Sequence, residues 1–211
     1  MTRMITKTVI KTMCITLLSL FGVGILFLLF LSFVAPSAMA RLTRDLGMYP
    51  QSAWYSSLQY ADGKGDIDNI AAAFNCSVLA RDEENIVKYG KTFIEDARFK
   101  EYCEEVEARE AQEGTPLEAY TQYVYGRVGI AYYRIDQGEQ GLTLALSVNT
   151  DSFVEYNAVN DLANEVVLKG DTAFASQILT SLTSLQASGT IAESGYLDRT
   201  VNILITFTAQ N

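Results

Sequence analysis

The sequence predicts an all-α protein in which an apolar N-terminal segment precedes a body of helices. The chain has 211 residues, and only Pro36, Pro50 and Pro116 are proline. So few breaking residues favour helices over an architecture of many short strands and turns. Apolar side chains after residue 51 recur mostly at intervals of three and four, which places them on one face of a helix. The residues after position 40 suffice for one domain with a substantial core.

Residues 1–40 form a predicted membrane-targeting segment. Residues 14–34 carry no charge and are dominated by Leu, Phe, Ile and Val. At ~1.5 Å per residue they span about 30 Å, the thickness of the hydrocarbon core of a bilayer. Arg3, Lys7 and Lys11 precede this run, and no acidic residue occurs before Arg41. Positive flanks stay in the cytoplasm, so we expect a single-pass segment with the body outside.

The membrane segment has two alternative fates. Small residues at Ala38 and Ala40 resemble a signal-peptidase site, and cleavage after Ala40 would release a secreted body. The apolar run is longer than the ~7–15 residues of a typical signal peptide, and is long enough to remain as an anchor. The sequence leaves both alternatives open, and both place the body on the outer side of the membrane.

The body follows a short connection. Residues 41–51 are expected to be a linker, and residues 52–211 are expected to form one extracytoplasmic domain. Its first predicted helix, 52–61, has Trp54, Tyr55 and Leu58 on an apolar face. Further helices are predicted over residues 67–78, 84–96, 97–112, 117–135, 139–148, 153–169 and 172–186.

Helix boundaries are marked by capping residues. Asp66 and Asp171 are expected to cap the N-termini of the helices that follow them, and Gly170 is expected to end the preceding helix. Thr115 is a candidate N-cap, with Pro116 at the first helical position.

Residues 196–208 fit two patterns. Val201, Ile203 and Ile205 alternate with polar residues, which suits a strand, whereas Leu197, Val201 and Leu204 form a helical stripe. We favour a terminal helix, because a lone strand would have no partner.

Two stretches of the body repeat with a period of 34 residues. Tyr125-x2-Val128-Gly129-x2-Tyr132, followed by Gly141-x3-Ala145, is matched by Val159-x2-Leu162-Ala163-x2-Val166, followed by Ala175-x3-Leu179. A weaker copy begins at Trp54. The pattern resembles the tetratricopeptide repeat, in which small residues stand where two helices cross.

This resemblance implies a solenoid of helical hairpins that binds a protein or peptide partner on its concave face. An unrelated helical bundle, or a fold that contains a sheet, remains an alternative, since apolar residues at helical spacing also match the pattern by chance.

The composition argues against several chemistries. The chain has no histidine, the commonest general base and metal ligand, so a Ser-His-Asp or Cys-His site cannot be built. No metal or cofactor motif is present. The net charge is −9, and removing the three N-terminal positive charges leaves −12 for the body. Such an acidic body disfavours binding to nucleic acid, whose phosphates require Lys and Arg.

Cys76 and Cys103 are the two cysteines of the body. In an oxidising compartment they are candidates for a disulfide, and a pair of buried free thiols is the alternative.

Three tyrosines, Tyr125, Tyr132 and Tyr133, are the candidate partner-binding residues, although their helical spacing also suits the core. Tyrosine supplies both contact area and a hydroxyl at binding surfaces. We therefore expect a non-enzymatic binding module. The alternatives are an exported enzyme that acts through carboxylates on cell-envelope polymers, and a structural subunit of a membrane complex.

Overall fold

The computed structural model describes residues 2–60, 65–112, 119–148, 157–191 and 194–210, and every secondary-structure element within these ranges is an α-helix. This confirms the predicted all-α class and the helical prediction for residues 196–208. The helices are α1 Thr2–Val34, α2 Pro36–Asp45, α3 Tyr49–Tyr60, α4 Ile67–Ala80, α5 Glu83–Ile94, α6 Phe99–Gln112, α7 Tyr120–Arg134, α8 Gly138–Ser147, α9 Ala158–Lys169, α10 Thr172–Ala187 and α11 Gly195–Gln210.

The first helix is long and apolar enough to cross a membrane. Its apolar part, Lys11–Val34, has 24 residues and a mean hydropathy of 2.7, and none of it is buried inside the protein. The helix ends at Val34, where the predicted apolar run ends, because Pro36 follows and cannot donate a backbone hydrogen bond.

Most of the predicted linker, residues 41–51, is helical in the structure. Residues 41–45 belong to α2 and residues 49–51 to α3, with a turn at Gly47, which has φ +72°. Met39, Ala40 and Thr43 on α2 are buried against α3. Residues 36–45 therefore pack on α3, because the amphipathic sequence of α2 supplies an apolar face that α3 covers.

The buried face of α3 also differs from the prediction. Trp54 and Leu58 are exposed, and the face in the core consists of Ser52, Ala53, Ser56 and Tyr60. Small side chains allow α3 to lie close to α4, and Ser52 Oγ donates a 2.8 Å hydrogen bond to the carbonyl oxygen of Ala40.

The capping predictions are confirmed where the structure describes them. Asp66 accepts from the backbone N–H of Asp68 at 3.3 Å, and Asp171 accepts from that of Phe174 at 3.0 Å. Gly170 ends α9 with φ +73°. Thr115, Pro116 and the first residues of the predicted helix 153–169 lie outside the described ranges.

The helices pack in chain order around two apolar clusters. Each of α3–α7 contributes to the first cluster, which includes Phe74 and Phe93, and α7–α11 contribute to the second, which includes Leu162 and Leu197. Alternate helices also meet, since α5 packs on α7, α7 on α9, and α9 on α11. Helix α7 belongs to both clusters and so holds the two halves of the body together.

Glycines allow α7 to approach two neighbours closely. A Cβ atom at Gly129 would lie 3.2 Å from the carbonyl oxygen of Gly141 on α8 and 3.6 Å from Ala145 Cβ. A Cβ atom at Gly126 would lie 3.3 Å from Ala158 Cα on α9. Gly129, Gly141 and Ala145 are the small positions of the predicted repeat, and they stand at the α7–α8 crossing.

Candidate functional site

An open groove of about 540 Å³ lies between the C-terminal half of α5, the end of α7 and the outer face of α8. Ile94, Tyr132 and Leu144 supply its apolar surface, one residue from each helix. Both α5 and α8 pack against α7. Gly129 and Gly141 allow α8 to lie close to α7. The end of α7 lies between α5 and α8, and its residue Tyr132 borders the groove.

The rim of this groove carries charged and polar side chains. Lys91 Nζ lies 3.7 Å from Glu95 Oε1 across one turn of α5, and Glu139 stands on the opposite side, on α8. These three groups leave one carboxylate in excess. The hydroxyl of Thr143 donates to its own helix, to the carbonyl oxygen of Glu139 at 2.8 Å. The groove therefore combines apolar contact area with a slightly acidic rim.

Of the three candidate tyrosines, Tyr132 borders the groove and the other two serve packing. Tyr125 is half-buried between the two clusters, its ring centroid 6.1 Å from that of Phe99, and burial raises its pKa. Its position therefore suits the core, the alternative that its helical spacing also allowed.

Tyr133 joins α7 to the turn between α9 and α10. Its ring stacks on Phe174 with centroids 5.2 Å apart, and its hydroxyl donates to Asp171 Oδ2 at 3.2 Å. Burial, followed by the neighbouring Asp171 carboxylate, raises the pKa of Tyr133 to about 12. Since Asp171 also caps α10, this tyrosine stabilises the helix pair and does not contact the groove.

The two cysteines of the body, Cys76 and Cys103, are buried and free in the structure. Cys76 Sγ donates to Ser52 Oγ at 3.4 Å. Cys103 is fully buried, and that burial raises its pKa to about 11. A thiol with so high a pKa is a poor nucleophile at neutral pH, because the thiolate is the reactive form.

Two further cavities lie elsewhere on the body. One, of about 780 Å³, lies between α9 and α11 and includes Val167, Asn202 and Phe207. The other, of about 750 Å³, is more polar and lies among α2, α3 and α4, with Arg41, Arg44, Asp66 and Asp68 at its edges. In the latter, basic groups on α2 stand near acidic groups at the start of α4.

Carboxylates that are candidates for catalysis are placed away from these cavities or are held by cations. Burial raises the pKa of Asp161, which is the environment of a general acid, but Asp161 lines none of the three cavities. Arg134 lowers the pKa of Glu165, and Arg98 lowers that of Asp96. Among the described residues, no three His, Cys, Asp or Glu side chains cluster as metal ligands do.

Sequence reasoning missed most of the groove. Lys91, Ile94, Glu139 and Leu144 carry no motif, and they come together only because α5 and α8 flank α7. The period of 34 residues located the α7–α8 crossing, and so it was the one signal that pointed to this region.

Comparison with protein-family models, with curated proteins and with solved structures finds no match to this chain.

Proposed function

We propose that this protein is a membrane-anchored helical-repeat module that binds a peptide segment of a partner protein outside the membrane. The groove between α5, α7 and α8 carries this proposal, because it is open, has an apolar surface and is bordered by charged groups. Ligand sites on proteins combine apolar walls with a few polar groups in this way.

The order of helix packing supports a repeat architecture for the body. Successive hairpins α7–α8 and α9–α10 follow the period of 34 residues, and their first helices pack on each other. Gly129 faces Gly141 at the α7–α8 crossing, and the matching small residues of the second pair, Ala163 and Ala175, are buried. Stacked hairpins of this kind form a solenoid, in which neighbouring units bury each other's apolar faces.

Retention of the anchor is supported by the packing of α2. Cleavage after Ala40 would cut this helix in the middle, and would remove the buried side chain of Met39 from the body. It would also break the chain beside the carbonyl oxygen that accepts from Ser52 Oγ. The body is therefore proposed to stay attached to α1, with the positively charged N-terminus in the cytoplasm.

The rim of the groove suggests the chemistry of the partner. One carboxylate in excess among Lys91, Glu95 and Glu139 favours a segment with a basic residue beside an apolar one. The strongly acidic body strengthens this preference at longer range.

Binding of the full-length protein, reconstituted in lipid nanodiscs, to an array of random-sequence synthetic peptides tests the proposal. We expect bound peptides to be enriched in apolar residues next to Lys or Arg. Thr143→Arg places a bulky cation on the exposed rim, and it should weaken that binding by about tenfold, or ~1.4 kcal/mol.

Thr180→Arg is the matched control. Thr180 is an exposed threonine on α10, and its hydroxyl bonds back to its own helix at 2.8 Å, as that of Thr143 does. This variant should bind as the unmodified protein does. Equal losses in the two variants, or binding without the basic-apolar preference, would contradict the proposed groove.

A further inference from the structure

We infer that the edge of the body formed by α2 and α3 lies in the outer lipid interface, with the side chains of Leu42, Leu46, Met48, Trp54 and Leu58 in contact with lipid. This docking surface is called the lipid edge below. The inference rests on the proposed role of α1 as a membrane anchor, and it adds a second contact between protein and bilayer.

Exposed apolar side chains are concentrated on the lipid edge. Outside α1, nine large apolar residues of the described chain are exposed, and five of them lie within residues 42–58. Their exposed fractions range from 41% to 65%. The other four, Leu79, Leu168, Tyr196 and Ile205, are spread over three helices. Soluble surfaces seldom expose so many large apolar groups close together unless something covers them.

The lipid edge lies beside the outer end of the apolar helix. Ser32 Oγ on α1 and Tyr55 Oη on α3 are 2.8 Å apart, so α3 touches the last turn of α1. The Trp54 ring centroid is 4.8 Å from that of Tyr55. Ser32 lies two residues before the end of α1, so this contact is at the outer end of the proposed membrane span, next to the head-group region.

The side chains of the lipid edge suit that depth. Tryptophan and tyrosine are enriched at membrane interfaces, where an apolar ring and a polar group are both satisfied. The opposite face of α3, with Ser52 and Ser56, is buried against the body. The exposed apolar groups are thus directed away from the core of the protein.

The lipid bilayer is the partner proposed for the lipid edge, because α1 places this edge next to the membrane. Since α2 follows α1 after only Ala35, lipid is within reach of Leu42 and Leu46 as soon as α1 is inserted. Apolar contact must drive the docking, because the acidic body is repelled by anionic lipid. A zwitterionic lipid surface is therefore the expected partner.

Trp54 is the only tryptophan of the chain, so its fluorescence reports on the lipid edge directly. The full-length protein is reconstituted in phosphatidylcholine vesicles, with or without bromine on the acyl chains near the head group. We expect brominated lipid to quench at least half of the Trp54 emission. In a Trp54→Phe background, a tryptophan introduced by Leu46→Trp should be quenched in the same way.

Leu168→Trp in the same Trp54→Phe background is the matched control, because Leu168 is an exposed leucine of the body, at 84%, far along the chain on α9. Its emission should not respond to brominated lipid.

If Trp54 and the position 46 tryptophan are not quenched although the protein resists extraction by alkaline carbonate, the lipid edge is wrong and the anchor stands. If carbonate releases the protein, the anchor itself is wrong, and the lipid edge falls with it. The inference would also be overturned if the Trp54 emission shifts to the blue only when a second copy or another protein binds, and brominated lipid does not quench it.

Discussion

The hydroxyl of Tyr60 donates a 2.6 Å hydrogen bond to Asp96 Oδ2, and this bond joins the last residue of α3 to the turn between α5 and α6. Arg98 donates two hydrogen bonds to the same carboxylate, from Nη2 to Oδ2 at 2.7 Å and from Nε to Oδ1 at 2.9 Å. Arg98 also donates to the carbonyl oxygen of Gly65 at 3.1 Å. Helices distant in sequence are thus connected through one carboxylate, whose side chain is only 6% exposed.

Stability should therefore depend on the ionised form of Asp96. Hydrogen bonds from Arg98 hold the pKa of Asp96 well below its usual range, and the hydrogen bond from Tyr60 adds to this effect. A group whose pKa is lower in the folded state contributes stability above its unfolded pKa, about 3.9, and loses it as the pH falls towards the folded value. We expect the free energy of unfolding to fall as the pH is lowered below about 4.

Asp96→Asn isolates this effect. The variant should lose about 2 kcal/mol at pH 7, since it removes a charge-assisted hydrogen-bond network, and it should show a shallower loss of stability in acid. Urea unfolding of the full chain in detergent, followed by circular dichroism across a pH series, measures both effects. Asp45→Asn is the control, since the Asp45 side chain is 73% exposed. Parallel pH profiles for Asp96→Asn and the unmodified protein would refute the role of Asp96.

The α7–α8 crossing should not tolerate a methyl group. A Cβ atom at Gly141 would overlap the carbonyl oxygen of Gly129 and would lie 3.1 Å from Tyr132 Cβ. Gly141→Ala should destabilise the protein by about 1–3 kcal/mol through overpacking, although alanine is intrinsically the better helix former by ~1 kcal/mol. Gly195→Ala, where no described atom lies within 4 Å, should change stability by less than about 0.5 kcal/mol. If thermal unfolding shows that Gly195→Ala is the less stable of the two variants, α7 and α8 can move apart easily and the prediction is wrong.

One arginine connects three alternate helices. Arg134 Nη1 lies 2.7 Å from Glu83 Oε1 on α5, and Arg134 Nε lies 2.9 Å from Glu165 Oε1 on α9. Arg134→Met keeps the aliphatic stem but leaves both partly buried carboxylates without their cation. We expect a loss of about 1–2 kcal/mol, between the values for exposed and buried pairs. Lys100→Met removes an exposed pair on α6 and should cost less than about 0.5 kcal/mol in the same urea titration. Equal losses in the two variants would contradict the network.

The thiols of the body should be protected in the folded protein. Cys103 is buried with a pKa raised to about 11, and Cys76 is buried beside Ser52. We expect neither to react with iodoacetamide at pH 7.5 in the folded state, and both to be alkylated after unfolding in urea without a reductant. Intact mass spectrometry measures the labels, and also shows whether residues 1–40 are retained. A mass lower by two hydrogen atoms, with neither thiol labelled after unfolding, would reveal a disulfide.

The helices themselves were predictable, because a helix depends on neighbours three and four residues apart. Asp66, Asp171 and Gly170 stand at helix boundaries as their local chemistry requires. The helical stripe of Leu197, Val201 and Leu204 likewise predicted a helix for the last segment, and this segment is α11 in the structure. These short-range interactions do not depend on the rest of the fold.

Residues 41–51 and α3 were predicted less well for a physical reason. The sequence shows Trp54 and Leu58 as an apolar stripe, but it does not show which face of α3 has a helix beside it. In the structure, α4 packs on the small side chains of Ser52, Ala53 and Ser56, and this leaves the large ones exposed. Residues 41–45 are helical because α3 covers Ala40 and Thr43, a contact between segments that periodicity does not reveal.

The amino-acid order alone thus determined the apolar N-terminal helix, the all-helical body and the small residues at the α7–α8 crossing. Only the tertiary structure decided that Tyr132 borders a groove while Tyr125 and Tyr133 pack against Phe99 and Phe174, and that Lys91 and Glu139 stand on the same rim. The features predicted from sequence depend on interactions within each segment, such as helix propensity and the preference of an apolar helix for lipid over water. The features that only the tertiary structure decided depend on which distant helix excludes water from a given side chain.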